Sequence, residues 1–120
     1  MAKILLVEDD AAIANLYQAE LKLRDHSVIY SNNGENLVEL VKKEKPDIIL
    51  LDIQLPQKDG LTLLSELKSN GDTKDVKVIV LSNYASQENV DKALQMGAID
   101  FIPKHRIVPE ELGIKIEQLV

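Results

Sequence analysis

Ile48-Ile49-Leu50-Leu51-Asp52-Ile53-Gln54-Leu55-Pro56-Gln57-Lys58-Asp59-Gly60 is the stretch from which the fold can be read. Four apolar residues in a row, without polar alternation, describe a strand buried on both faces. An Asp ends the run, Pro56 interrupts the backbone, and after Gly60 the residues Leu61, Leu64 and Leu67 recur at helical spacing. The same strand, turn and helix order repeats on either side. Towards the N-terminus, Pro46 closes a helix carrying Leu37, Leu40 and Val41 that starts near Asn33-Gly34. Before it come a strand at Val28–Tyr30, a helix with Ile13, Leu16, Tyr17 and Leu21, and a strand at Ile4–Val7. Towards the C-terminus lie a strand at Val78–Leu81 and a helix with Val90, Ala93 and Leu94 that Gly97 stops. A short strand at Ile99–Ile102 follows, then a helix with Leu112, Ile116 and Leu119 opened by Pro109-Glu110-Glu111.

Five βα units in succession predict an α/β fold: a single doubly wound, five-stranded parallel sheet with five helices. The first, third and fourth strands are unbroken Val, Ile and Leu and belong in the centre. The second and fifth carry Ser27, Ser31 and Asp100 and belong at the edges. Strand order 2-1-3-4-5 satisfies this with right-handed crossovers. The length of 120 residues fits one domain, 1–120. With 45% hydrophobic residues the chain can build a core, and with no Cys it excludes disulfide scaffolds and thiol chemistry. A net charge of -6 with Arg only at positions 24 and 106 argues against direct nucleic-acid binding. Apolar runs of four residues are too short for a membrane span, and the default location is the cytoplasm. Gly71–Asp75 reads as a mobile loop, His26 and His105 as surface residues without a role, and Lys42-Lys43-Glu44-Lys45 as a solvated helix end.

In such sheets ligands bind beyond the carboxyl ends of the strands. Those ends are Glu8-Asp9-Asp10, Asp52, Ser82-Asn83 and the neighbourhood of Lys104. Two like charges 4 Å apart repel by about 4 kcal/mol at an effective dielectric of 20, so gathered carboxylates need compensation. A hard divalent cation such as Mg²⁺ supplies it through oxygen ligands. Asp9 or Asp10 could instead simply cap the first helix, Ser82 could cap the fourth, and Lys104 could be a solvated lysine. Capping by Asp9 or Asp10 does not explain Asp52, which alone reads as an ordinary strand-end Asp before a turn. A carboxylate at that place can attack phosphorus to form an aspartyl-phosphate, with Lys104 and the Ser82 hydroxyl meeting the phosphoryl oxygens. Gln54 and Tyr84 each stand two residues beyond Asp52 and Ser82, and with Asn83 they would flank the phosphoryl group. Tyr84 would shield it from water.

These residues match a family. Val7-Glu8-Asp9-Asp10, the D-x-x-[LM]-P-x-x-D-G pattern running from Asp52 to Gly60, Ser82, Gly97-Ala98, Phe101 and Lys104 together make the whole chain resemble the CheY-like receiver domain of bacterial response regulators. The resemblance implies that Asp52 is the phosphoacceptor. It implies Mg²⁺ held by Asp9 directly, by Glu8 through water, by Asp52 and by the backbone carbonyl of Gln54. Ser82 would bond a phosphoryl oxygen, Lys104 would pair with the group, and Phe101 would be an aromatic switch turning inward as Ser82 moves. Three features depart from the family. His105 stands where a proline usually follows the lysine, so a trans Lys104–His105 bond, or else an unusual strained one, is expected. The span from Lys104 to Leu112 also looks one residue longer than usual. Leu55 in place of the commoner Met changes little.

The implied partner upstream is a sensor histidine kinase or a histidine phosphotransfer protein. Downstream, the face of the fourth helix, fifth strand and fifth helix would meet a protein target or an output domain outside this chain, as monomer or phosphorylation-dependent homodimer. The chain would be no enzyme beyond its own phosphorylation and dephosphorylation. Two other classes fit less well. One is a receiver-like module that works without phosphorylation, and the other a small Mg²⁺-dependent phosphatase, which would place its nucleophile after the first strand. A flavin-binding protein is disfavoured because Glu8-Asp9-Asp10 would repel a phosphate.

Overall fold

The computed structural model of the protein describes residues 2–55, 59–83, 86–104 and 107–120. Five strands alternate with five helices: β1 (Lys3–Val7), α1 (Ala11–Leu23), β2 (Ser27–Ser31), α2 (Leu37–Glu44), β3 (Ile48–Asp52), α3 (Gly60–Ser69), β4 (Lys77–Ser82), α4 (Gln87–Gln95), β5 (Asp100–Pro103) and α5 (Pro109–Leu119). All neighbouring strands pair in parallel, in the order β2-β1-β3-β4-β5. The edge assignment follows the composition. Every residue of β3 is buried, whereas β2 is exposed at Ser27 and Tyr30 and β5 is half-buried at both ends.

Because successive side chains of a strand point to opposite faces, each strand serves two cores. Ile4, Leu6, Ile48, Leu50, Ile79, Leu81 and Ile102 meet α1 and α5 through Tyr17, Leu21, Leu112 and Ile116. Leu5, Val7, Ile49, Leu51, Val78, Val80 and Phe101 meet α2, α3 and α4 through Leu37, Val41, Leu64, Leu67 and Ala93. A fully buried Leu or Ile of this kind contributes about 1.5–3 kcal/mol through its removal from water.

Helix starts have local causes. The carboxylate of Asp10 accepts from the amides of Ala12 and Ile13 at 3.0 and 3.2 Å, that of Asp59 from Leu61 at 2.9 Å, and the Ser86 hydroxyl from Asn89 at 3.2 Å. Pro109 opens α5, where the Glu111 carboxylate accepts from the Val108 amide. α2 begins at Leu37, three residues beyond Asn33-Gly34, because Gly34 and Asn36 both take positive φ.

The structure corrects several expectations. Leu16, read as part of the buried face of α1, is 59% exposed, and Leu94 and Ile99 are also exposed. The apolar stripe on α1 is wider than its buried part, and the buried positions are Ala14, Tyr17 and Leu21. His26 is buried: its Nδ1 accepts from the Ala2 amide at 2.9 Å. The 71–75 loop is tied down. Thr73 is buried, its hydroxyl donates to the Leu67 carbonyl at 2.6 Å, and Lys68 Nζ donates to the carbonyls of Lys74 and Val76. Pro56, Gln57 and Lys58 of the long motif, Tyr84, and His105 with its peptide bond to Lys104 lie outside the described residues.

Candidate functional site

Strand parity decides who meets whom. Glu8, Asp52 and Lys104 continue the even-numbered positions that face α1 and α5, two residues beyond Leu6, Leu50 and Ile102. They come together at the carboxyl end of the sheet. Lys104 Nζ lies 2.9 Å from Asp52 Oδ2 and 2.6 Å from Glu8 Oε1. All three side chains are buried: Glu8 is 0% exposed, Asp52 1% and Lys104 9%. The other Asp52 oxygen, Oδ1, accepts from the Gln54 amide at 2.9 Å, so the turn after β3 holds the carboxylate in place.

Burial makes Glu8 a poor anion. Desolvation is the largest influence and Asp52 adds to it, while Lys104 and the Asp10 amide oppose them; its pKa rises from 4.5 to about 7. Lys104 moves up. Burial alone would lower it, but the hydrogen bonds and charges of Glu8 and Asp52 outweigh that and keep it an ammonium.

Glu8, Asp9 and Asp52 each present one carboxylate oxygen, all within 4.8 Å of one another. Asp9 is exposed. Among the described residues, three carboxylates share this rim with the ammonium of Lys104. A set of oxygen donors with surplus negative charge fits a hard cation of the Mg²⁺ type, with room for water on the exposed Asp9 side. Asp10 is not in the group; it caps α1, which is the structural role open to it from the start.

Ser82 and Phe101 stand on the opposite parity, facing the α2, α3 and α4 side. Ser82 is buried at the end of β4, one position beyond the Leu81 that pairs with Asp52, and is itself paired with Pro103. It does not start α4, because Ser86 does. Phe101 is buried beside Val80, its partner in the ladder. Gln54 and Asn83 are exposed at the rim.

Two features of the site rest on tertiary contacts that the sequence motif does not disclose. Gly60 sits against the backbone that carries Asp52: a Cβ there would lie 2.5 Å from the Asp52 carbonyl oxygen and closer still to Ile53. Its missing side chain lets α3 press against the turn, where the Gly60 amide donates to the Ile53 carbonyl at 3.0 Å. Tyr30, on the edge strand β2, donates its hydroxyl to the Glu8 carbonyl at 2.8 Å. Aromatic residues are ordinary in strands, so nothing in the sequence singles Tyr30 out.

The chain is similar to the Staphylococcus aureus transcriptional regulatory protein KdpE, 38% identical over 103 residues, which is 86% of this chain and 43% of that protein. It is also similar in structure to the BeF3-activated receiver domain of Klebsiella pneumoniae RstA. There the TM-score is 0.85 and the identity 33%, covering 97% of this chain and 96% of that one. The Mn(2+)-bound form of response regulator Rcp1 matches with a TM-score of 0.80 and 31% identity, over 98% and 90% of the two chains. The chain spans about half the length of the curated relatives it matches. Residues 4–117 match the response regulator receiver domain, and the chain belongs to that family.

Proposed function

We propose that residues 1–120 act as one phosphoacceptor receiver domain of a two-component system, with Asp52 as the acceptor. The observation that carries this is the contact of a buried Asp52 with Lys104, beside two further carboxylates at the carboxyl end of the sheet. A buried carboxylate already paired with an ammonium is placed to exchange that partner for a phosphoryl group.

In the proposed reaction a phosphohistidine of a sensor kinase or phosphotransfer protein is the donor. An Asp52 oxygen forms the new O–P bond as the N–P bond breaks, and the imidazole leaves with the electron pair. Lys104 follows the charge onto a phosphoryl oxygen, and the Ser82 hydroxyl can donate to another. Glu8, Asp9, Asp52 and the Gln54 carbonyl would hold Mg²⁺, which supplies positive charge against the phosphoryl oxygens. The Rcp1 structure with Mn(2+) and the RstA structure activated by BeF3 support both halves of this reading. The product exchanges a carboxylate near -1 for a phosphate near -2. Ser82 and Phe101, on the other parity, would carry that change to the α4–β5–α5 face. Exposed Leu94, Ile99 and Ile114 lie on those elements or beside them.

Intact-mass spectrometry after incubation with phosphoramidate tests the reading. One phosphoryl adduct on the wild type, lost without Mg²⁺ and lost in Asp52→Asn, is the expected result. A folded wild type that takes no adduct from a donor active on a control receiver would overturn it.

A further inference from the structure

Tyr30 stands outside the residues that the family motif marks, yet its hydroxyl reaches the backbone from which the acidic pair projects. β1 and β2 pair as far as Val7 and Ser31, and the last bond of the ladder runs from the Glu8 amide to the Ser31 carbonyl at 3.1 Å. Beyond it the Glu8 carbonyl is met by a side chain. Tyr30 pairs with Leu6, so its ring lies on the α1 side of the sheet and extends along β1 to place its hydroxyl 2.8 Å from that oxygen.

Besides the Lys104 contact at its Oε1, Glu8 is held at three points. Its amide is fixed by Ser31, its carbonyl by Tyr30, and its Oε2 by the Asp10 amide at 3.2 Å. The carbonyl belongs to the Glu8–Asp9 peptide. Rotation of that peptide plane would turn the Asp9 carboxylate relative to those of Glu8 and Asp52. Asp9 is the exposed member of the three, so packing does least to hold it.

We propose that Tyr30 is a positioning residue for divalent-cation binding, its hydroxyl fixing the Glu8–Asp9 peptide so that the three carboxylates keep a common centre. This rests on the receiver reading above. Partners of this outer kind orient ligands without touching the ion, and their loss typically weakens metal affinity. Burial, reinforced by the negative charges of Glu8, Asp9 and Asp10, pushes the Tyr30 phenol above its ordinary value, so it remains a donor at neutral pH.

Tyr30→Phe keeps the ring and removes the hydroxyl. The test is a Mn²⁺ titration followed by electron paramagnetic resonance on wild type, Tyr30→Phe and Asp52→Asn, each confirmed fully folded at the titration temperature. Thermal unfolding in chelator is measured alongside. A purely structural hydroxyl would lower the unfolding temperature of Tyr30→Phe but leave Mn²⁺ affinity unchanged, because affinity is read on folded protein. The expected result is Mn²⁺ affinity weakened about 10-fold in Tyr30→Phe. It is accompanied, in the metal-free protein, by a displaced ¹⁵N resonance of the Asp9 amide, whose peptide carries the lost bond. Wild-type affinity in Tyr30→Phe would overturn the proposal while leaving the receiver reading intact. A wild type that binds no Mn²⁺, or binds it equally well as Asp52→Asn, would overturn both.

Discussion

The two ends of the sheet carry the same chemistry under different conditions. At the amino end, Lys3 Nζ pairs with Glu44 at 3.1 Å with both side chains partly in water, the Lys3 amide donates to Asp47, and Lys77 donates to the Leu119 carbonyl. The broad cleft there, about 1050 Å³, mixes cations and anions: Lys42, Lys45 and Lys77 with Asp47, Asp72, Asp75 and Glu117. At the carboxyl end, Lys104 pairs with Glu8 and Asp52 almost fully out of water, and the carboxylates outnumber it among the described residues. Burial of its charges marks the carboxyl end. An exposed pair is screened and worth little, whereas a buried, unbalanced cluster costs stability that only a further cation or a proton can offset. The second arrangement is the candidate site.

The contrast can be broken most severely at Lys104. Lys104→Met removes the counter-charge from two buried carboxylates, and urea unfolding at pH 8 in chelator should show a loss of about 3 kcal/mol. Millimolar Mg²⁺ should recover part of it. A variant as stable as the wild type would mean that the carboxyl-end cluster is no more strained than a surface pair.

Glu8 gives a smaller effect with a definite sign. Its pKa is about 7 in the folded chain against 4.5 for the ordinary group, so between those values the folded state holds a proton that the unfolded state has released. The stabilisation that results is full below pH 4.5 and is lost as pH rises through 7. Glu8→Gln should flatten this part of the metal-free profile and be more stable than the wild type at pH 8. Urea unfolding at pH 5 and pH 8 checks it; parallel profiles would contradict the assignment.

At the amino end the effect should nearly vanish. Lys3→Ala should cost at most about 0.5 kcal/mol by urea unfolding. That difference should disappear at about 1 M salt, where charges are screened within about 3 Å. A loss as large as that of Lys104→Met would erase the distinction between the two ends.

The strands were legible because β1, β3 and β4 are unbroken apolar runs, and each ends at the polar residue that marks the rim. That regularity made Glu8, Asp52 and Ser82 readable, and the parity of β5 carried Lys104 to the same place as Glu8 and Asp52. Side chains whose surroundings come from distant elements were not legible. His26 reads as a surface histidine until the Ala2 amide is found on its ring. Leu16 fits the helical period of α1 and still faces water. Gly60 signals a turn in the sequence, but the backbone of Asp52 and Ile53 packed against it is a tertiary fact. Tyr30 is one β-former among several until its hydroxyl is placed on Glu8.

Locating the phosphoryl group itself tests Asp52 as the acceptor. Protein treated with phosphoramidate and Mg²⁺ is reduced with borohydride, which converts an aspartyl-phosphate to homoserine, and is then mapped by peptide mass spectrometry. Homoserine at position 52 alone is the expected result. Homoserine at Asp9 or Asp59 with position 52 unmodified would contradict it.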